Sequence, residues 1–269
     1  MQPGYGRSAE AGAGSGAPPN RVARFDFLGA PLDCLGLADT VAAADAAMGS
    51  RSPLRQVSLN VAKVVAMRRN AELDRDVRAS DLVNADGMGV FWAARLLGIP
   101  VPERVAGIDL FERVLALCAA RGYRPYFLGA RPDIVAAAAA TARRRYPGLD
   151  FAGSRDGYFA PDEEGSIVAE IKASHADCLF IGMPTPRKER FLAGHADALG
   201  VPFIMGVGGS FDVLAGATRR APVFVQAIGL EWLFRLIQEP LRLGPRYVKT
   251  NFIYSALLAR ALAKKLIGH

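Results

Sequence analysis

The run Asp177–Met183, DCLFIGM, is an almost continuous apolar stretch, and it is followed by the turn residues PTP. Short apolar runs of this kind are typical of strands that helices cover on both faces. Two further runs have the same form, PYFLG at Pro125–Gly129 and PFIMGV at Pro202–Val207. The central part of the chain therefore predicts a parallel sheet buried between helices.

The segments around these runs alternate between strand and helix patterns. This alternation predicts an α/β sandwich with a mainly parallel sheet, spanning residues 24–218. The expected strands are Phe25–Leu28, Arg55–Leu59, Asp81–Asn84, Pro125–Leu128, Leu149–Gly153, Cys178–Ile181 and Pro202–Met205. The expected helices are Leu37–Met48, Val61–Arg69, Gly89–Leu97, Asp109–Arg121, Asp133–Tyr146, Pro161–Ala173 and Pro186–Leu199.

Composition and charge narrow the classes of protein that fit. Of the 269 residues, 51% are apolar and 22% charged, as in a globular protein with a substantial core. Three cysteines, an odd number, argue against a disulfide framework and favour a reducing compartment. The net charge is +7, and residues 219–269 account for all of it with nine Lys and Arg against two Glu. A neutral body with a cationic tail indicates an anionic partner: phospholipid, a diphosphate or nucleic acid.

The two ends of the chain differ from the body. Residues 1–23 are rich in Gly, Ala, Pro and Ser and predict a disordered leader rather than a signal peptide. Residues 219–269 predict a basic helical appendage with no membrane-spanning run. After Pro240 and Pro245, Tyr247–Ile267 has the pattern of an amphipathic helix, which either packs on the body or lies on a membrane. Its expected apolar face contains Phe252, Ile253, Ala256, Leu257, Ala259, Leu262 and Leu266.

Polar and glycine-rich residues follow several of the expected strands. In a parallel α/β sheet, ligands bind beyond the carboxyl ends of the strands, so these loops predict a binding site. Asp86 stands between a strand end and the glycines of Gly87-Met88-Gly89. A carboxylate there has two interpretations: a general base that takes a proton from a hydroxyl nucleophile, or a cap on the next helix.

Other motifs also leave two interpretations open. The loop Gly206–Asp212, GVGGSFD, is either a backbone phosphate site or a structural turn. Arg104 either binds a phosphate or pairs with Glu103 or Asp109. The D-x-D motif Asp74–Asp76 lies before an expected strand, which favours a solvated connector over a metal site.

Several motifs in order give the chain a family resemblance. They are SLN at Ser58–Asn60, NADG at Asn84–Gly87, ERVAGIDL at Glu103–Leu110, FLG at Phe127–Gly129, GMPTPRKE at Gly182–Glu189, GVGGSFD at Gly206–Asp212, RRAP at Arg219–Pro222, and Glu231-Trp232, Arg235, Glu239-Pro240, Arg242 and Arg246-Tyr247. Together they resemble the WecG/TagA/CpsF glycosyltransferases, glycosyltransferase family 26, over residues 25–247.

The resemblance implies a Rossmann-like fold and an inverting, metal-independent glycosyltransferase without a cofactor. Such an enzyme moves a hexose-type sugar from a UDP-sugar or other nucleotide-sugar to a polyprenyl-diphosphate-linked saccharide in bacterial surface or exopolysaccharide synthesis. The implied sugars are N-acetylmannosamine, mannosaminuronate, mannose and glucose. The implied location is cytoplasmic and peripheral, on the inner face of the cell membrane.

The expected site combines the family's residues with those at the strand ends. The resemblance places the catalytic aspartate at Asp86. The expected substrate-binding residues are Ser58, Asn60, Asn84, Gly87, Arg104, Asp109, Gly129, Gly182, Lys188, Glu189, Gly208, Gly209 and Asp212. The residues expected to meet the acceptor diphosphate or the membrane are Arg219, Arg220, Arg235, Arg242 and Arg246.

One departure from the family concerns the donor sugar. Many members have Gln-Glu where this chain has Lys188-Glu189, and a cation there favours an acidic sugar or acceptor.

Two rival functions are a nucleotide-dependent oxidoreductase and a basic nucleic-acid-binding module. The first lacks G-x-G-x-x-G after its first strand, and the second lacks a platform of stacking aromatics, so we expect no nucleic-acid partner. Assembly into a homo-oligomer is left open.

Overall fold

The computed structural model describes residues 23–227, 229–238 and 240–267. The described strands are β1 (Arg24–Phe27), β2 (Ala30–Asp33), β3 (Leu54–Leu59), β4 (Leu82–Ala85), β5 (Pro125–Gly129), β6 (Gly153–Arg155), β7 (Cys178–Gly182) and β8 (Phe203–Gly206). Six of them form one sheet in the order β4-β3-β8-β7-β5-β6, and every neighbouring pair is parallel. The predicted parallel α/β sheet is confirmed. The predicted leader, except residue 23, lies outside the described residues.

Helices cover both faces of this sheet. They are α1 (Leu37–Ser50), α2 (Val61–Met67), α3 (Ala71–Ala79), α4 (Met88–Leu96), α5 (Gly107–Arg121), α6 (Pro132–Arg145), α7 (Glu164–Ala173), α8 (Arg187–Leu199) and α9 (Ser210–Leu214), with a 3₁₀ turn at Pro161–Glu163. Side chains alternate along β5: Phe127 packs among residues of α1, α5, α6 and α9, whereas Tyr126 and Leu128 pack among those of α7 and α8. Burial on both faces explains why the strand has no polar side.

The hairpin β1–β2 lies outside the main sheet. Its turn residues Leu28 and Gly29 have φ of 52° and 81°, as tight hairpin turns require. Asp33 is buried, pairs with Arg24 at 2.7 Å and accepts a hydrogen bond from the N–H of Val83 on β4, also at 2.7 Å. The sequence prediction assigned one strand here and missed β2, because Gly29-Ala30-Pro31 has the composition of a loop.

Two other predicted segments differ in the structure. The strand expected at Leu149–Gly153 is wrong, because β6 begins only at Gly153. Leu149 and Phe151 are nevertheless buried: they pack against the core from the preceding loop. The charged connector before β4 is helix α3, whose N-terminus is capped by Asn70.

The tail folds into helices. Its described residues form α10 (Val223–Ala227), α11 (Glu231–Gln238) and α12 (Pro240–Ile267). Pro245 lies inside α12, so the expectation that the amphipathic helix begins only after it, at Tyr247, is wrong. Pro240 is the first described residue of α12, and Pro245 has no N–H to donate to the carbonyl of residue 241. Leu241 is 94% exposed, so that carbonyl can bond to water instead.

One stripe of α12 packs on the body. Ile253, Tyr254 and Leu258 contact the apolar cluster around α2 and α4, and the Tyr254 hydroxyl donates to the carbonyl of Gly89 at 2.8 Å. The predicted single apolar face is therefore wrong: its members divide between two sides of the helix. The exposed side carries Leu241, Val248, Phe252, Ala256, Ala259, Ala263 and Leu266. No helix within the described residues is long and apolar enough to cross a bilayer.

Candidate active site

Ser58 and Asp86 come together at the carboxyl edge of the sheet. Asp86 directly follows β4, and its N–H donates to the carbonyl of Leu59 on β3 at 2.8 Å. Both side chains face Gly107, the first residue of α5. A Cβ atom at Gly107 would lie 3.1 Å from Ser58 Oγ and 4.0 Å from Asp86 Oδ2. A hydroxyl and a carboxylate that are 28 residues apart in sequence thus converge on one point.

Gly87, and not Asp86, occupies the N-cap position of α4, and the general-base interpretation of Asp86 stays a prediction. Gly87 has φ of 87°, a conformation that glycine adopts without strain because it lacks Cβ. A Cβ on Gly87 would meet no described atom within 4 Å, so open space adjoins the half-buried Asp86.

A buried amide network holds Ser58 from below. Gln56 Nε2 donates to Asn84 Oδ1 at 2.9 Å and approaches Ser58 Oγ at 3.3 Å, and Asn84 Nδ2 donates to Thr40 Oγ1 at 2.9 Å. Asn84, expected to bind substrate, is fully buried with both ends of its amide bonded to protein. Its place in this network is structural: it fixes the strand end that carries Ser58.

Asn60 and Lys63 form the turn after β3. Asn60, expected to bind substrate, caps α2: its Oδ1 accepts from the N–H of Lys63 at 3.0 Å. The half-buried Lys63 folds back, and its Nζ donates to the carbonyl of Ser58 at 2.8 Å. Burial, and secondarily the nearby Lys188 cation, lower the pKa of Lys63 to about 8, although neighbouring carboxylates, Asp86 first, act in the opposite direction.

Lys188 is committed to a buried ion pair. Its Nζ lies 2.7 Å from Asp76 Oδ2 and 3.3 Å from Glu189 Oε1, and the three side chains are 7%, 6% and 0% exposed. Its stem passes Gly206, where a Cβ would be 3.0 Å from Lys188 Cδ. Asp76 is therefore no part of a solvated connector. The reason for expecting an acidic sugar is also lost, because two carboxylates already neutralise the Lys188 cation.

Glu189 has one carboxylate oxygen without a partner. Oε1 accepts from Thr185 Oγ1 at 3.2 Å, whereas Oε2 is buried and has no hydrogen-bond partner among the described residues. Leaving a buried acceptor unpaired is costly, so an ordered water is an ordinary partner for such an oxygen. The Glu189 side chain is 0% exposed, and its expected substrate-binding role stays a prediction.

Four charges join the body to the tail. Arg104 lies 3.3 Å from Glu231 of α11 and 3.9 Å from Asp109, and Arg220 lies 2.6 Å from Asp109 and 4.0 Å from Glu231. Arg104 thus pairs across the body–tail junction, whereas Glu103 accepts instead from the N–H of Leu37 at the start of α1. The two guanidinium groups are balanced here by the carboxylates of Asp109 and Glu231, and the phosphate-binding role of Arg104 stays a prediction.

Gly129 and Gly182 allow two strand ends to approach closely. A Cβ on Gly129 would lie 2.6 Å from the Gly182 backbone, and a Cβ on Gly182 would lie 2.5 Å from the Phe211 ring. Both glycines were expected to bind substrate. Their surroundings give them a packing role: they bring the ends of β5 and β7 against α9.

The glycine loop after β8 is open. Gly208 has φ of 52°, and a Cβ there would meet no described atom within 4 Å. Gly209 precedes α9, and the backbone carbonyl of Asp212 accepts from the N–H groups of Ala217 and Thr218 at 2.9 and 3.1 Å. The loop has room for an anion, and its phosphate-binding role stays a prediction.

The tail borders the site. Gly229, with φ of 78°, passes so close to Met88 that a Cβ there would lie 2.6 Å from Met88 Cγ, two residues after Asp86. Arg219 is exposed, and its carbonyl accepts from Gln238. The side chains of Arg235, Arg242 and Arg246, expected to meet the acceptor diphosphate, lie outside the described part of the structure.

The fold and site define an α/β protein with a carboxylate beside open space, and a buried hydroxyl near it, at the carboxyl edge of a parallel sheet. A carboxylate in this position is suited to activating a hydroxyl nucleophile. The chain belongs to the glycosyl transferase WecG/TagA/CpsF family, whose model matches residues 25–267. It is therefore a glycosyltransferase, as the motif resemblance predicted. Membership implies a nucleotide-sugar donor and a saccharide acceptor. Among the described residues, no group of three or more His, Cys, Asp or Glu could hold a metal ion.

Sequence reasoning missed two charged residues of the site. Lys63 carried no motif signal, although its place three residues after Asn60 puts it in the first turn of a helix that starts at the sheet edge. Asp76 was assigned to a connector because its neighbours are charged. The available signal was the amphipathic pattern of α3, in which Leu73 and Val77 lie on the same buried side of the helix as Asp76.

Proposed function

We propose that this protein transfers a hexose-type sugar from a UDP-sugar to a polyprenyl-diphosphate-linked saccharide, with inversion and without a metal. The observation that carries the proposal is the convergence of Ser58 Oγ and Asp86 Oδ2 on Gly107 beside open space. The donor sugar stays among N-acetylmannosamine, mannosaminuronate, mannose and glucose.

Asp86 is the general base in this reaction. Its carboxylate accepts the proton of an acceptor hydroxyl as the hydroxyl oxygen attacks the anomeric carbon. The carbon–oxygen bond to the nucleotide diphosphate breaks on the opposite face, and the electron pair leaves with the diphosphate. One displacement therefore inverts the anomeric centre. The hydroxyl of Ser58 lies near enough to orient the attacking group.

The donor binds across the strand ends between the Gly208-Gly209 loop and Asp86. Backbone N–H groups of that loop and the cation of Arg104 stabilise the departing diphosphate, in place of a metal. Arg219 and Arg220, with Arg235, Arg242 and Arg246, meet the lipid-linked diphosphate of the acceptor.

The tail, residues 219–269, brings the catalytic body, residues 24–218, to the inner face of the cell membrane. The exposed stripe of α12, with Val248 74% and Phe252 77% exposed, lies on the side away from the body. Apolar residues flanked by cations such as Lys249 and Arg260 are typical of helices that lie in an anionic membrane surface. The product would be a lengthened lipid-linked saccharide for a surface or exopolysaccharide.

A donor screen tests the proposed function. Release of the nucleoside diphosphate is followed from a panel of UDP- and GDP-sugars, with and without a short-chain polyprenyl-diphosphate saccharide. We expect release with one UDP-hexose, dependent on the acceptor, and a product of inverted anomeric configuration. Retention of configuration, or turnover only with GDP-sugars, would contradict the proposal.

A further inference from the structure

Helix α4 of the body carries two large apolar side chains on its exposed side. Trp92 and Leu96 are 58% and 59% exposed, whereas the opposite side of the helix is buried in the core. Because the two residues are four apart, they are neighbours on the helix surface. Single exposed apolar residues are common in soluble proteins, but a contiguous apolar patch marks a contact surface.

Helix α12 of the tail borders this pair. The Tyr254 hydroxyl donates to the carbonyl of Gly89 at 2.8 Å, and Lys265 Nζ donates to the carbonyl of Leu96 at 3.2 Å. Gly89 comes three residues before Trp92 and lies on the same side of α4. The two hydrogen bonds therefore bracket Trp92, and the exposed side of α4 runs beside the tail helix, which has an exposed apolar stripe of its own.

The two segments that meet here carry no negative side chain. Residues 87–102 and 240–269 contain Lys and Arg but neither Asp nor Glu. Lys265 holds its ammonium at the C-terminal end of α4, and Arg95 is exposed in the same helix. An apolar pair flanked by cations is complementary to an anionic lipid surface, and tryptophan is enriched at such surfaces because its ring is apolar and its N–H is polar.

We propose that α4 itself enters an anionic lipid surface through Trp92 and Leu96, so that the body contacts the membrane as well as the tail. The inference rests on the proposed function, which brings the protein to a lipid-linked acceptor. Met88, the first residue of α4, comes two residues after Asp86, and Trp92 and Leu96 lie about 6 and 12 Å further along the helix. Lipid contact at this point holds the site close to the diphosphate of an acceptor anchored in the same surface.

A double variant tests the contribution of the pair to binding. Trp92→Ser with Leu96→Ser should weaken co-sedimentation of the full chain with phosphatidylglycerol vesicles by roughly tenfold, because two large apolar side chains lose their contact with lipid. The melting temperature should stay that of the wild type, since both side chains are exposed in the fold. Tyr158→Ser, at another exposed aromatic of the body, is the control and should bind as the wild type does. Undiminished binding by the double variant would overturn the proposal.

Fluorescence places Trp92 directly. The chain has two tryptophans, so Trp232→Phe leaves Trp92 as the single one. On vesicles of phosphatidylglycerol and phosphatidylcholine, we expect its emission to move to shorter wavelengths and to be quenched when the acyl chains carry bromine, because the exposed ring leaves water for lipid.

Three results would overturn the proposal. In the first, the protein co-sediments with vesicles while the Trp92 emission is unchanged and unquenched, which leaves the tail as the contact. In the second, the protein does not bind the vesicles. In the third, the emission shifts with protein concentration in the absence of lipid, which assigns the pair to a second copy of this chain. None of these measurements needs a donor sugar, so they decide the proposal whether or not the donor screen detects transfer.

Discussion

At the scale of single residues, the site contains charged side chains that are partly or fully buried. Lys63 is half-buried in the first turn of α2, and its ordinary pKa of 10.5 falls to about 8, chiefly through burial. The unfolded chain therefore binds this proton more tightly than the folded protein does. The folded state carries an unfavourable contribution below pH 8 that disappears between pH 8 and 10.5.

This sign gives a stability prediction. Relative to Lys63→Met, which has no titrating group there, the wild type should gain stability as the pH rises from 8 to 10.5. Urea unfolding of both proteins at several pH values measures the difference between their free energies of unfolding. A difference that is constant over this range would show that Lys63 keeps its ordinary pKa in the fold.

The buried pair Lys188–Asp76 gives a second prediction. Lys188→Met leaves two carboxylates, Asp76 and Glu189, buried without their cation, and such a change typically costs about 3–5 kcal/mol. The double variant Lys188→Met with Asp76→Asn should recover much of that loss, because one uncompensated charge is gone. Urea unfolding of both variants checks this. A double variant no more stable than Lys188→Met would contradict the pairing.

At the scale of elements, β7 and α9 meet through a glycine. A Cβ on Gly182 would lie 2.5 Å from the Phe211 ring, a contact that buried side chains cannot avoid without shifting. Gly182→Ala should therefore lower the free energy of unfolding by about 1–3 kcal/mol. Gly165→Ala, at an open and exposed position in α7, is the matched control and should be neutral or stabilising. Equal stabilities would contradict the close approach.

The elements that sequence could predict are those with a strong local pattern. Apolar runs such as Cys178–Ile181 predicted the central strands because burial on both faces leaves no polar alternation. The hairpin strand β2 and helix α3 were missed because their local composition indicates loops, and contacts distant in sequence stabilise them. Asp33 on β2, for example, is held by Arg24 and by the backbone of Val83.

The same limit applied to the site. Ser58 and Asp86 could be predicted, since strand ends in a parallel sheet share an edge. The buried roles of Asn84 and Lys188 could not, because they depend on Gln56 and Asp76, partners that no motif connects to them. A polar residue at a strand end has the same sequence signal whether it contacts ligand or supports a neighbour.

At the scale of the whole molecule, the +7 charge and the exposed apolar stripe of α12 belong to the same segment. Phe252→Ser with Leu266→Ser should weaken co-sedimentation with anionic vesicles, because two of the stripe's exposed apolar side chains, 77% and 79% exposed, are removed. The melting temperature should not change. Tyr158→Ser, at a 73% exposed aromatic on the body, is the control and should bind as the wild type does. Undiminished vesicle binding by the double variant would show that this stripe is not the membrane face.

The most direct test of the whole account is the turnover of Asp86→Asn. General-base catalysis is typically worth about 10²–10⁴ in rate, so kcat should fall by about that factor, with donor binding and melting temperature preserved. Asp81→Asn, next to the opposite end of β4, is the matched control and should turn over at the wild-type rate. Near-normal kcat in Asp86→Asn would contradict the account, because the acceptor proton would then go to another group.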